Sequence, residues 1–251
     1  MSMKRIGSVP YLNSVPLTCG IEDQTEFIVP SALAEKLRAG NLDAALVSVT
    51  EVLLNEGYEI LDGVAVASNG PVASVFLAHR QPLEAIETIH CDTASLTSVN
   101  LLRVLLAERG LRPAFEPLPD YQQAMDLENV LLIGNPGIDF LRAPHDHTLW
   151  DLGEAWHELT GLPFVYAVWA LRRGHHDPAL RNKLRTAKKQ GLDRLADTIA
   201  AHPDFDEPFR QAYLGGHIQY DLAEAEKAGL AKFVELLKTH GDQPVIEPTF
   251  V

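Results

Sequence analysis

Cysteine is scarce in this 251-residue chain: Cys19 and Cys91 are the only two. Two such distant residues make no disulfide framework, and the plain reading is a pair of reduced, core-type thiols. Long apolar runs are missing as well, so no helix that spans a bilayer is expected. After Met1-Ser2-Met3-Lys4-Arg5 the chain meets Gly7 and Pro10 too soon for the apolar core of a secretory signal. A cytoplasmic location is the expectation. Positive charge is also short. Lys and Arg total 21 against 34 Asp and Glu, a formal net charge of -13. Wholesale phosphate binding needs a basic footprint, so nucleic acid is not an expected partner, and neither is a membrane. Low-complexity tracts, Gly/Ser linkers and internal repeats are lacking too.

Several catalytic signatures are absent. There is no Gly-x-Ser-x-Gly, no phosphate-binding Gly-rich loop, no dinucleotide fingerprint and no His-Glu-x-x-His, which removes support for the corresponding hydrolase, NTPase, NAD-enzyme and metalloprotease classes. His145, His147, His157, His175 and His176 match no structural zinc spacing and read as surface-loop histidines, so no metal is expected. Trp150, Trp156 and Trp169 read as packing residues. No pair of carboxylates presents itself as acid and base.

What is present suits a folded globular protein: 46% hydrophobic and 22% charged residues. The elements alternate. Residues 5–9 read as a strand, Asn13-Ser14 as a helix cap, 26–29 as a strand, 31–40 as a helix closed by Gly40, and 43–49 as a buried strand. Strands at 58–67 and 72–79 follow, joined by the turn Ser68-Asn69-Gly70-Pro71. The rhythm then restarts with strand 88–91, helix 97–109, an extended piece at 114–117, a short helix at 121–126 and strand 130–133. A long strand at 163–171 precedes a tail read as helices over 180–202, 207–214 and 222–238. Two α/β units in series, a return strand and a helical tail predict two lobes around a cleft. The expected division is residues 1–80 with 172–251 as one lobe and 81–171 as the other, the tail packing back on the first.

Ligands of open parallel sheets sit beyond the carboxyl ends of strands, beside helix N-termini. Those places carry small neutral hydrogen-bonding residues here: Asn13 and Ser14 after the first strand, Ser48 after the third, Ser95, Thr97 and Ser98 after the strand at Ile89, Gly134 and Asn135 after the strand at Val130. Free N–H groups and hydroxyls hold a carboxylate without a fixed charge. Ordinary helix capping favours the same residue types. Their recurrence at successive strand ends points to a polar, anion-accepting cleft.

The stretch from Ile6 to about residue 170 resembles a known family. Tyr11-Leu12-Asn13-Ser14-Val15-Pro16 is similar to the Tyr-Leu-Asn-x-x-Pro opening of the chorismate dehydratases of the futalosine route to menaquinone. Gly70-Pro71-Val72-Ala73-Ser74-Val75, Asp92-Thr93-Ala94-Ser95-Leu96-Thr97-Ser98, and Asp151-Leu152-Gly153-Glu154-Ala155-Trp156 followed by Thr160-Gly161-Leu162-Pro163-Phe164-Val165-Tyr166-Ala167 resemble that family's later motifs, in order. One departure is Gly134-Asn135, where the family often has Gly-Asp. The resemblance implies a two-lobed α/β fold of the periplasmic-binding-protein kind (type II) and a lyase. It would dehydrate chorismate, a small dicarboxylate, to 3-[(1-carboxyvinyl)oxy]benzoate, a reaction that formally needs no cofactor.

With that chemistry in view, Asn13 is the candidate catalytic residue, orienting charge because a neutral amide is no base. The Ser95/Thr97/Ser98 helix start is the candidate for one carboxylate, and Ser74 or Ser14 for the other. Two other readings stay open: a non-catalytic solute-binding protein of the same fold, and a sister enzyme acting on a cyclic futalosine derivative. The sister enzyme's Pro-x-Pro-Asn-Asp opening is not found here.

Overall fold

A computed structural model describes residues 5–92 and 94–251; Thr93 of the third motif and Met1 to Lys4 lie outside them. The strands are β1 (Ile6–Ser8), β2 (Thr25–Phe27), β3 (Ala44–Ser48), β4 (Tyr58–Ser68), β5 (Val75–His79), β6 (Thr88–Cys91), β7 (Ala114–Pro117), β8 (Asn129–Ile133), β9 (Thr148–Asp151) and β10 (Phe164–Arg172). They form two five-stranded sheets, ordered β2-β1-β3-β10-β4 and β7-β6-β8-β5-β9. Pairing among β1, β2 and β3 is parallel, and β10 runs antiparallel to β3 and β4. The second sheet repeats the plan, with β6 parallel to β7 and β8, and β5 antiparallel to β8 and β9. Strands covered on both faces need unbroken apolar runs. Ala44-Ala45-Leu46-Val47 and Val130-Leu131-Leu132-Ile133 supply them, all buried.

The sheets exchange chain elsewhere than expected. β5 belongs to the second sheet and β10 to the first, so the crossings fall at residues 69–74 and 161–163, not near 80 and 171. The turn expected to join two neighbouring strands at 68–71 is the first of these crossings. Strand content there begins only at Val75, because Val72 and Ala73 give their N–H groups to a side chain, Asp151, instead of to a ladder.

The helices are α1 (Pro30–Arg38), α2 (Val49–Leu53), α3 (Leu96–Glu108), α4 (Gly134–Arg142), α5 (Leu152–Thr160), α6 (Pro178–Asp193), α7 (Leu195–Ala201), α8 (Glu207–Ala212) and α9 (Glu224–His240). α6 packs on the 3-10 turn Leu12–Leu17 and on β4, while α9 touches both β10 and α3. The α6 contact is close. A Cβ at Gly191 would lie 1.9 Å from the Pro16 carbonyl oxygen, so only glycine lets the backbones meet. At the other end of the core Trp156 is fully buried, edge-on to Phe164 and Phe233, and its indole N–H donates to the Pro163 carbonyl at 3.1 Å. His147 corrects the surface reading of the histidines. It is buried beside Phe140, with Nε2 2.7 Å from the Leu127 carbonyl.

Candidate active site

The first wall comes from the loop after β1. Ser14 folds its hydroxyl back onto the carbonyls of Val9 (2.7 Å) and Tyr11 (2.8 Å), which tightens the turn and faces Asn13 into a cavity. Ser14 itself is buried and does not line that cavity, so it is a turn-former and not a ligand contact. The space between its walls, open solvent at the mouth included, is about 620 Å³. Both sheets contribute to it. Asn13 and Ser48 come from the first, and Ser74, Ser95, Ser98 and Gly134 from the second or its approach, among apolar walls that include Leu46, Val66, Val75 and Ile133.

Ser48 and Thr97 join the two sheets. The Thr97 N–H donates to Ser48 Oγ at 2.8 Å, and the two hydroxyls are hydrogen-bonded to each other. Thr97 Oγ1 also accepts from the Thr50 N–H at 2.9 Å and donates to Thr50 Oγ1 at 3.0 Å. Since Thr97 spends its proton on Thr50, Ser48 donates to Thr97, and Ser48 keeps only a lone pair for the cavity. Thr97 is fully buried, a strut between sheets instead of a ligand contact. At the start of α3, Ser95 caps the Ser98 N–H at 3.2 Å and lies 3.0 Å from the Ser98 hydroxyl.

Gly134 lines the cavity in a left-handed conformation, φ 59°. A Cβ there would stand 3.1 Å from the Tyr11 ring, and its N–H donates to the Ser74 carbonyl at 2.8 Å. Asn135, also expected in the cleft, turns away from it. Its Oδ1 accepts from the Leu12 N–H at 3.2 Å and its Nδ2 donates to Asp204 at 3.1 Å. An amide is what this place needs, one acceptor and one donor on a single side chain.

Three tyrosines escaped the reading of the sequence as site residues. Tyr11 and Tyr166 line the cavity, and Tyr213 stands behind it, donating to Ser74 Oγ at 2.8 Å. Tyr11 and Tyr166 sit inside quoted motifs, where their rings pass for packing. Tyr213 lies in the helical tail, at the start of the π-helical turn Tyr213–His217 that contains Gly215-Gly216. Burial, then the nearby Asp92 charge, pushes the Tyr11 pKa up to about 12. Burial pushes Tyr213 up to about 12 as well. Burial also raises the Asp92 carboxyl, opposed by hydrogen bonds from Ala94 (2.9 Å), Tyr121 (2.8 Å) and the Ile133 backbone. Asp92 thus pins the loops that carry Ser95 and Gly134.

Among the described residues lining the cavity none is ionised at neutral pH; all its polar groups are amides, hydroxyls or phenols. Such donors, fixed in surroundings of low dielectric, act more strongly on an anion than they would in water. No described group of His, Cys, Asp or Glu is arranged to hold a metal ion, and no described helix is long and apolar enough to cross a membrane.

Two five-stranded α/β layers joined by crossings beside a cavity lined from both define a two-lobed, periplasmic-binding-protein-like fold. A Candida albicans protein described as having the generic periplasmic binding protein fold superposes with a TM-score of 0.60 at 14% identity, over 96% of this chain and 90% of that one. A family model described as menaquinone biosynthesis matches residues 4–239. Chorismate dehydratase of Thermus thermophilus is 34% identical over 234 residues, 83% of this chain and 84% of that protein. Chorismate dehydratase of Campylobacter jejuni is 27% identical over 233 residues, 91% of each. The chain belongs to the chorismate dehydratase family of menaquinone biosynthesis.

Proposed function

We propose that the protein dehydrates chorismate to 3-[(1-carboxyvinyl)oxy]benzoate, in the cytoplasm and on the futalosine route to menaquinone. The observation that carries the reading is the convergence of Asn13, Ser74, Ser95 and Ser98, distant in sequence, on one cavity with apolar walls. Helix capping alone would scatter them. Chorismate matches such a site: a small ring with two carboxylates, which neutral donors hold without a counter-charge. In the reaction the ring C–O bond to the hydroxyl breaks, a neighbouring ring carbon loses its proton, and the ring becomes aromatic as one water leaves.

Asn13 holds charge that develops on the leaving oxygen or on a carboxylate, and Ser74 and one hydroxyl of the Ser95–Ser98 pair donate to the substrate's anionic groups, the other hydroxyl spending its proton within the pair. A protein base is not needed for the proton. The enolpyruvyl carboxylate of the substrate removes it, a role supported by the lack of any carboxylate or imidazole among the described residues lining the cavity. Incubation of the purified chain with chorismate tests the reading. The expected product is aromatic in its ultraviolet spectrum and lighter by one water. A protein that binds chorismate and returns it unchanged is a solute-binding protein instead. The side-chain monomethyl ester of chorismate should bind and fail to react, and turnover of that ester would remove the substrate-base step.

A further inference from the structure

Tyr213 is a buried group that the proposed reaction leaves without a task. It is 1% exposed, and its ring stacks on Phe209 with centroids 5.5 Å apart and planes 21° from parallel. Its hydroxyl donates to Ser74 Oγ at 2.8 Å, and Ser74 is itself 1% exposed at the cavity wall. A serine hydroxyl carries one proton and two lone pairs. Because the phenol occupies a lone pair as donor, the Ser74 proton has to find its acceptor elsewhere. Among the described residues Ser74 Oγ has no second hydrogen-bond partner, and the open direction is the cavity.

We propose that Tyr213 is a positioning residue: its hydroxyl, by donating to Ser74, turns the Ser74 O–H into the cavity as a donor to an anionic oxygen of the substrate. Hydrogen bonds in series polarise one another, so the phenol also strengthens the serine as a donor. With its pKa pushed up to about 12 by burial, the phenol keeps its proton at any physiological pH and remains able to donate. The inference rests on the dehydratase reading, which makes the anionic oxygen one of chorismate's.

The test is a double-mutant cycle in chorismate binding, measured by calorimetry, with turnover followed separately. Tyr213→Phe keeps the ring and removes only the donor; Ser74→Ala removes the group it acts through. Tyr213→Phe should weaken binding about tenfold in the parent, the scale of one hydrogen bond, and less than about twofold in the Ser74→Ala background. A merely structural hydroxyl would cost the same factor in both backgrounds, and that result overturns the inference. A Tyr213→Phe protein that no longer folds also overturns it, since the hydroxyl would then be holding the fold. So would a parent protein that does not bind chorismate. Coupled binding without turnover leaves the inference standing and removes the dehydratase reading alone.

Discussion

The carboxylate of Asp151 holds the backbone of Ala73: its Oδ2 accepts the Ala73 N–H at 2.8 Å. Both Asp151 oxygens lie 3.1 Å from the Val72 nitrogen, and Oδ1 accepts the Gly153 and Glu154 N–H groups at 2.9 and 3.0 Å. Ala73 has φ 59°, a conformation that alanine adopts only when its surroundings impose it. One side chain therefore caps α5 and fastens the crossing that delivers Ser74 to the cavity. Asp151→Ala should cost about 3 kcal/mol, a lost cap together with charge-assisted hydrogen bonds from the crossing. Urea unfolding measures it. A loss below about 0.5 kcal/mol would mean that the crossing is held by its packing alone.

Asn135→Asp is the second test. The substitution keeps the acceptor for Leu12, removes the donor to Asp204 at 3.1 Å and sets two carboxylates side by side. Like charges at that distance raise one pKa of the pair, so the variant should be about 1 kcal/mol less stable than the parent at neutral pH. The deficit should shrink as pH falls and one carboxylate takes up a proton. A pH-independent deficit would show that the lost donor, not the repulsion, is what matters.

Tyrosine ionisation gives a third. Tyr11 and Tyr213, ordinarily near 10, are both pushed up to about 12, and burial raises Tyr166 and Tyr220 well above their ordinary value. With the folded pKa above the unfolded one, the native state binds more protons between those values, so stability falls as pH rises. The contribution is complete below about 10 and is lost as pH climbs through about 12. Phenolate absorbance should therefore lag behind that of free tyrosine and then rise together with loss of helical circular dichroism. Phenolate signal appearing near pH 10 in a still-folded protein would contradict these burials.

Most of the fold was legible because its signals are local. The apolar runs at 44–47 and 130–133 read as buried strands, and Gly110 ends α3 as its sequence suggests. The crossings were not legible. Whether Val75–His79 pairs with β4 or with β8 and β9 is decided by Asp151, more than seventy residues away, which takes the donors a hairpin would have used. The helix α4 was hidden too, because Gly134-Asn135-Pro136-Gly137 has turn composition and becomes a helix start only where Tyr11 packs on Gly134.

For the candidate site, strand-end logic found Asn13, Ser48, Ser95, Ser98 and Gly134, and the family resemblance added Ser74; all line the cavity. It also swept in Ser14, Thr97 and Asn135, whose polar groups are consumed within the protein. Hydroxyls at helix starts look alike in sequence; only their partners tell a ligand contact from a strut.

The most direct test of the account is the rate of a single turnover of chorismate by Asn13→Asp beside Asn13→Ala, with binding measured separately. An orienting amide predicts a fall of about a hundredfold or more for the Ala variant, the usual cost of one preorganised donor, with ground-state affinity changing less. The Asp variant sets a negative charge beside a dianion, so it should bind worse than Ala despite its closer shape. An Asp variant as fast as the parent would contradict the account, because the site would then be using position 13 as a base.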